Sequence, residues 1–330
     1  MTLRQAQERP VRQAQDKPAS PWQVAVSQPD RLGESPFWHP RERMLYWVDI
    51  PAMQVRRCGM EGETAGPVES WAMPSEPGCI APAASGGVVV ALRDGLYRAR
   101  SWGGALTQIV RFNHDVKTTR FNDGKADPLG RMWLGTVYEP RDARRGELYS
   151  VDCRPDNGNG GKPLVQLKAQ NAITANGLAW SPDGKTVYWS DTSHHVVQAW
   201  DYEAGSNVMR KHRVFMQFGA KPDGWQAGQP GYSGRPDGAS VDSQGNYWCA
   251  MYEGGRLLQF SAGGQMLEDI AVPATCPTMP CFGGDDLKTL YLTTASDKRP
   301  AAELEQLPSS GCVLSMRVQV PGLPVNFFVD

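Results

Sequence analysis

Pro128-Leu129-Gly130 runs into Arg131-Met132-Trp133-Leu134-Gly135, and Ser181-Pro182-Asp183-Gly184 runs into Thr186-Val187-Tyr188-Trp189-Ser190 one residue later. Each is a tight turn followed by β-branched and aromatic residues, the pattern of a hairpin feeding a strand. The same run recurs at Met44-Leu45-Tyr46-Trp47-Val48, Gly87-Val88-Val89-Val90-Ala91, Asn246-Tyr247-Trp248-Cys249-Ala250 and Thr289-Leu290-Tyr291-Leu292-Thr293. With Trp47, Val90, Trp133, Trp189, Trp248 and Leu292 as landmarks, the spacings are 43, 43, 56, 59 and 44 residues, with a mean of 49. That period matches the ~40–50 residues of a four-stranded propeller blade. The expectation is an all-β fold, a six-bladed β-propeller with a central metal site, spanning residues 23–330 as one domain. Its ring would close by pairing Val24–Val26 with Cys312–Val320. Residues 1–22, polar and rich in Gln and Arg, read as a disordered extension, with a mitochondrial presequence as the rival reading.

Composition agrees with many short strands and turns: 35 Gly, 26 Pro and 11 Trp in 330 residues. A formal net charge of −1 gives no electrostatic case for nucleic acid or an anionic membrane. No run reaches the roughly 18–20 apolar residues of a membrane span, and cysteines without metal-site spacing fit a reducing cytoplasm, the expected location. Seven cysteines without C-x-x-C spacing read as buried free thiols. The extra length of the two long repeats falls at residues 153–163 and at Lys221 to Arg235, the latter a candidate cover for the channel mouth. Oligomeric state is left open.

Inner strands of a propeller line its channel, so polar residues 10–14 positions before each landmark should converge. Those positions hold Glu34 in Gly33-Glu34-Ser35-Pro36, Asn122 in Arg120-Phe121-Asn122-Asp123-Gly124, Asn176 in Asn176-Gly177-Leu178 and Asp237 in Pro236-Asp237-Gly238. Of the three Pro-Asp-Gly triplets only Asp237 has the channel offset; Asp183 belongs to a hairpin turn and Asp223 to the long loop. Glu34, Asn176 and Asp237 form two carboxylates and an amide oxygen aimed at one point. Such a set suits one divalent cation: calcium, zinc, manganese, magnesium or iron(II). Asp and Asn before Gly are also ordinary turn formers, the bland reading of each taken singly.

These four motifs, with Leu32-Gly33-Glu34-Ser35-Pro36-Phe37-Trp38 at the head, resemble the regucalcin/gluconolactonase (senescence marker protein) family from about residue 31 to 320. The resemblance implies a six-bladed propeller with one divalent metal, hydrolysing sugar lactones. It implies Glu34, Asn176 and Asp237 as metal ligands and Arg120 and Asn122 as contacts to the sugar. Glu139, in Gly135-Thr136-Val137-Tyr138-Glu139-Pro140, matches an acidic sugar contact of some members, although Pro140 replaces a second acid.

The expected activity is hydrolysis of an aldonolactone to the free sugar acid, by water attacking a metal-polarised carbonyl, with Asp237 also as general base. The alternatives are a calcium-type metal-binding regulator without turnover and a phosphotriesterase-like hydrolase. Other chemistries find no pattern. There is no H-E-x-x-H, Gly231-Tyr232-Ser233-Gly234-Arg235 lacks the last Gly of a nucleophile elbow, and Ala179 breaks a phosphate loop at Gly184-Lys185-Thr186. The five histidines are scattered, with His194-His195 expected on a solvated turn.

Overall fold

The computed structural model describes residues 20–330, except residues 63 and 228. The proposed extension lies outside the described residues up to position 19. Trp22, at its end, is buried and its indole N–H donates to Ala271 O at 2.9 Å.

Six antiparallel sheets of four strands, one with a short additional strand, follow one another along the chain. All six landmarks fall on second strands: Met44–Asp49, Val88–Leu92, Met132–Tyr138, Thr186–Asp191, Tyr247–Tyr252 and Thr289–Thr294. The inner strands are Gly33–His39, Cys79–Pro82, Thr119–Ala126, Ala175–Trp180, Arg235–Val241 and Pro277–Gly283. Each inner strand packs on those of the blades before and after, and the sixth on the first, which makes the ring. Closure is as the sequence suggests: Gln23–Val26 pairs antiparallel with Val313–Arg317, Val24 opposite Leu314. No helix among the described residues is long and apolar enough to cross a membrane.

The landmark tryptophans pack between blades, and three are tethered. Trp47, Trp133 and Trp248 donate their indole N–H to Asp30, Asp127 and Asp242 at 2.9, 3.2 and 3.0 Å. A buried indole favours such an acceptor, so these three blade cores are keyed by a carboxylate as well as filled by an aromatic, whereas the buried Trp189 indole N–H has no partner among the described residues. All seven cysteines are free, six of them buried.

At one end of the ring, residues 321–330 run across the channel. Gly322 bridges Asp242 of blade five, Phe328 bridges Ala83 of blade two, and Val329 N–H donates to Gly130 O of blade three. This strap lies over an apolar cavity of about 250 Å³ lined by Phe37, Trp180, Phe282 and Leu323, among others. The opposite end is open and polar.

The Lys221 to Arg235 loop does not form the wall of the open mouth, apart from Arg235 itself. It packs beside the mouth: Lys221 pairs with the wall residue Glu253 at 2.9 Å and sits over the Trp225 ring, and the Tyr232 hydroxyl meets His195. His195 is therefore buried rather than solvated, its ring nitrogen 2.7 Å from the Tyr232 hydroxyl.

Candidate functional site

Four inner strands carry the same irregularity. Between Glu34 and Phe37, Phe121 and Gly124, Asn176 and Ala179, and Pro236 and Ala239, three steps on the inner strand face two on its neighbour. This is a β-bulge, which frees a residue from the ladder and re-aims its side chain. The Asn and Asp residues before Gly at these positions are therefore bulge residues in strands, not turn formers. Gly177 shows why glycine accompanies them: its φ is +60°, and a Cβ there would lie 2.5 Å from the Tyr247 hydroxyl. The inner strand of blade two, Cys79–Pro82, pairs without a shift and contributes no acid or amide.

The segments entering two of these strands are clamped. Asp49 accepts the backbone N–H groups of Arg31 and Leu32 at 3.0 and 3.2 Å, just before Glu34. Asp191 does the same for Ile173 and Thr174 at 3.1 and 3.2 Å, just before Asn176. Both acids lie two residues beyond a landmark tryptophan, so the blade core positions the channel residue.

The bulges bring Glu34, Asn122, Asn176 and Asp237 together at the floor of a cavity of about 520 Å³. All four are buried. Asn122 Nδ2 donates to Asn176 Oδ1 at 2.8 Å and to Ala175 O at 2.9 Å. Asn176 Nδ2 donates to Asp237 Oδ1 and, at 2.8 Å, to Thr192 Oγ1. Arg120 donates to Asn122 Oδ1 at 2.7 Å and to Phe121 O at 2.9 Å, and its guanidinium lies 3.4 Å from Glu139. Glu139 stands on the cavity wall, pairing more closely with Arg93 at 2.7 Å.

Burial dominates the electrostatics. Glu34 is held well above the usual carboxylate range by desolvation first, then by the charges of Asp237 and Asp123. Asp237 is pushed up to about 8 by desolvation, with Arg235 opposing. Arg120 is lowered, again by burial first. Two buried carboxyls that raise one another need a proton or a cation between them. Among the described residues no three His, Cys, Asp or Glu side chains form a metal cluster; the candidate set is two carboxylates and an amide. As hydrogen-bonded, Asn176 turns its NH2 toward Asp237. A half-turn of the amide exchanges nitrogen for oxygen and breaks the bond from Asn122, so it requires Asn122 to shift, while the Thr192 hydroxyl can donate as well as accept. The donor set is compatible with a hard or borderline divalent cation.

Sequence reasoning missed several neighbours. Asp123 looked like part of a turn, yet it is buried, accepts the Leu178 N–H at 2.9 Å and adds to the negative field on Glu34. Arg141, Tyr252, Glu253, Lys298 and Arg299 also line the cavity. Tyr252 ends its second strand and the others follow theirs, four to eight positions past a landmark, so extending the register points to these segments but not to their residue types. Of the aromatics Tyr138, Trp225 and Tyr252, the first and last of which end strands, Tyr252 lines the cavity, whereas Tyr138 and Trp225 do not.

Fold and site together define a six-bladed propeller with a polar, acid-floored channel open at one end. The sequence matches the family model for the SMP-30/gluconolactonase/LRE-like region over residues 32–296, and the chain belongs to that family. It is 40% identical over 305 residues to a 6-deoxy-6-sulfogluconolactonase of Pseudomonas putida, covering 92% of this chain and 97% of that protein. It is 31% identical to regucalcin of Gallus gallus, covering 89% and 93%. A calcium-binding protein, regucalcin from Agrobacterium tumefaciens, shares the fold with a TM-score of 0.81 at 24% identity, covering 92% of this chain and 96% of that one.

Proposed function

We propose that this enzyme hydrolyses a sugar lactone to the free sugar acid at the floor of the open channel. Membership of a family that includes a lactonase at 40% identity supports the reaction class. The observation that carries the assignment to a site is the convergence of Glu34, Asn176 and Asp237 from three bulged strands beside Arg120 and Asn122.

Glu34, Asn176 and Asp237 would hold one divalent cation, which supplies Lewis acidity to a carbonyl oxygen and acidity to water beside it. Asp237 would accept the proton of the attacking water through a carboxylate oxygen left free of the cation. Water adds to the lactone carbonyl, the ring C–O bond breaks, and the proton passes to the departing alcohol oxygen. Arg120 and Asn122 would orient the ring hydroxyls: Arg120 presents a planar fork of donors, and Asn122 both donates and accepts. Glu139, held by Arg93, would accept a further hydroxyl.

The test is acid release on mixing chelator-treated protein with aldonolactones, neutral and anionic, then adding calcium, zinc, manganese, magnesium or iron(II) singly, with spontaneous opening subtracted. Cation-dependent acid release is the expected result. No rate above background with any pair would leave a metal-binding regulator.

A further inference from the structure

Blade two puts no acid or amide on the channel floor, but it reaches the cavity wall. Glu76 stands there in Pro74-Ser75-Glu76-Pro77-Gly78, the segment entering the inner strand Cys79–Pro82. That segment is pressed onto Arg120-Phe121-Asn122: a Cβ on Gly78 would lie 2.4 Å from the Phe121 carbonyl, so only glycine allows the approach. Pro77 keeps the backbone of Glu76 extended. Arg93, in the hairpin between the second and third strands of the same blade, completes the arrangement. It donates to Glu76 Oε2 at 3.1 Å and Oε1 at 3.4 Å, and to Glu139 Oε2 at 2.7 Å. The last two bonds come from one nitrogen, Nη2, so the two carboxylates are neighbours across it. Arg93 itself is not part of the wall.

These two acids differ from the others around the mouth. Glu253 is saturated by Lys221, Arg235 and Arg299 at 2.9, 3.2 and 3.5 Å, and 9% of its side chain is open. Asp297 pairs with Arg31 at 2.8 Å and is 22% open. Glu76 and Glu139 share Arg93, with Arg120 a further 3.4 Å from Glu139, and 31% and 37% of their side chains are open. Burial acts to raise Glu76, yet Arg93 outweighs it and holds the carboxyl below its usual range. An ionised carboxylate accepts at about four lone-pair sites, so acceptor capacity is left over on both residues.

We propose that Glu76 is a substrate-contacting residue which, with Glu139, accepts two neighbouring hydroxyls of the sugar lactone, and that Arg93 is the positioning residue that sets the spacing of the pair. Hydroxyls on adjacent ring carbons sit about one hydrogen-bond length apart, a spacing that two oxygens gathered around one nitrogen can meet. Each O–H donated to a carboxylate is a charge-assisted bond, stronger than one to a neutral acceptor. In a six-membered gluconolactone the neighbouring free hydroxyls are those on the second, third and fourth carbons. Whichever pair is bound, the hydroxyl on the third carbon belongs to it. The inference rests on the lactonase reading for the presence of the sugar in this mouth.

The experiment measures kcat/KM of wild type, Glu76→Ala and Glu139→Ala on gluconolactone and on analogues lacking the hydroxyl at the second, third or fourth carbon. Comparing variant with wild type on each lactone cancels differences in intrinsic reactivity. Calorimetric binding of the corresponding sugar acids runs in parallel. On gluconolactone each variant should lose at least about tenfold, mostly in KM, the scale of one hydrogen bond to a charged group. The Glu76 loss should vanish on one analogue and the Glu139 loss on another, the two carbons being adjacent and one of them the third. Arg93→Gln should weaken both contacts together, and Arg93→Lys should recover part of the loss. A Glu76→Ala loss equal on every lactone, or absent on all, makes the Arg93 pairing purely structural and overturns the proposal. So does a result that maps both acids to one carbon or to carbons that are not adjacent; the lactonase stands in each case. The expected pattern in acid binding, with no turnover of any lactone, upholds the acceptor pair and sinks the lactonase reading.

Discussion

Replacing Asp237 by Asn removes one of two mutually raised buried carboxyls while keeping the shape of the site, since an amide oxygen at 237 still accepts from Asn176. In the cation-free protein burial holds Asp237 at about 8 against an ordinary 3.8. A raised carboxyl keeps a proton in the folded state that the unfolded chain releases. Its contribution to stability is therefore full below about pH 4 and is lost as pH rises toward 8. At pH 7 the gap is about three pK units of about 1.4 kcal/mol, an upper limit of about 4 kcal/mol, and relaxation of the site brings it to about 2–4 kcal/mol. Asparagine carries no such cost. In chelator at pH 7 the Asp237→Asn protein should melt about 3–6 °C above wild type, at roughly 1.5 °C per kcal/mol for a chain of this size. The difference should shrink toward pH 4, and lactone turnover should fall by at least about 10²-fold with loss of any cation-induced rise in Tm. Calorimetric melts from pH 4.5 to 8, with and without divalent cation, read all three. A chelated variant that melts no higher than wild type with a parallel pH profile, or one that keeps the cation-induced rise, would refute the reasoning.

Three further outcomes are expected. Arg120→Lys loses the fork that reaches Asn122 Oδ1 and Phe121 O, and should raise KM for lactones by about tenfold with a smaller change in kcat, measured by steady-state kinetics. Gly177→Ala puts a Cβ against the Tyr247 hydroxyl at a left-handed backbone; urea unfolding should show a loss of about 2–4 kcal/mol, and an unchanged midpoint would contradict the bulge geometry. Adding divalent cation to chelated protein near pH 6 should release protons from Glu34 and Asp237, both raised, and the Asp237 share should vanish above about pH 9. Calorimetry in buffers of different ionisation enthalpy counts these protons, and none at pH 6 would remove the two acids from the ligand set.

The ring and its floor could be read from the chain because both repeat. Trp47, Trp133, Trp189 and Trp248 are buried in equivalent layers, so a recurrence near one blade length carries the architecture. Glu34, Asn176 and Asp237 then fall 13, 13 and 11 residues before their landmarks because each sits in the same kind of bulge before the same kind of strand. What does not repeat was not legible. Asp123 resembles a turn residue because bulges and turns use the same Asn-Asp-Gly chemistry. Arg141, Lys298 and Glu253 lie in loops of differing length, where no shared burial constraint fixes residue type. The Lys221 to Arg235 loop has the composition of a cover, but its direction is set by Lys221 on Glu253 and Tyr232 on His195, contacts that no pattern announces.

The pairing of Gln23–Val26 with Val313–Arg317 also bears on how the protein comes into being. Blades one to five can form while the chain is still being synthesised, and with them Glu34, Asn122, Asn176 and Asp237. The sixth cannot finish until a strand made last has found one made first, almost 290 residues away. Contacts of that separation are slow to form, and until they do an open arc presents unpaired strand edges to its neighbours. Loss of the last two dozen residues would therefore leave the acid floor encoded but the arc unclosed. Such a chain is expected to be lost to aggregation before it is measured as inactive.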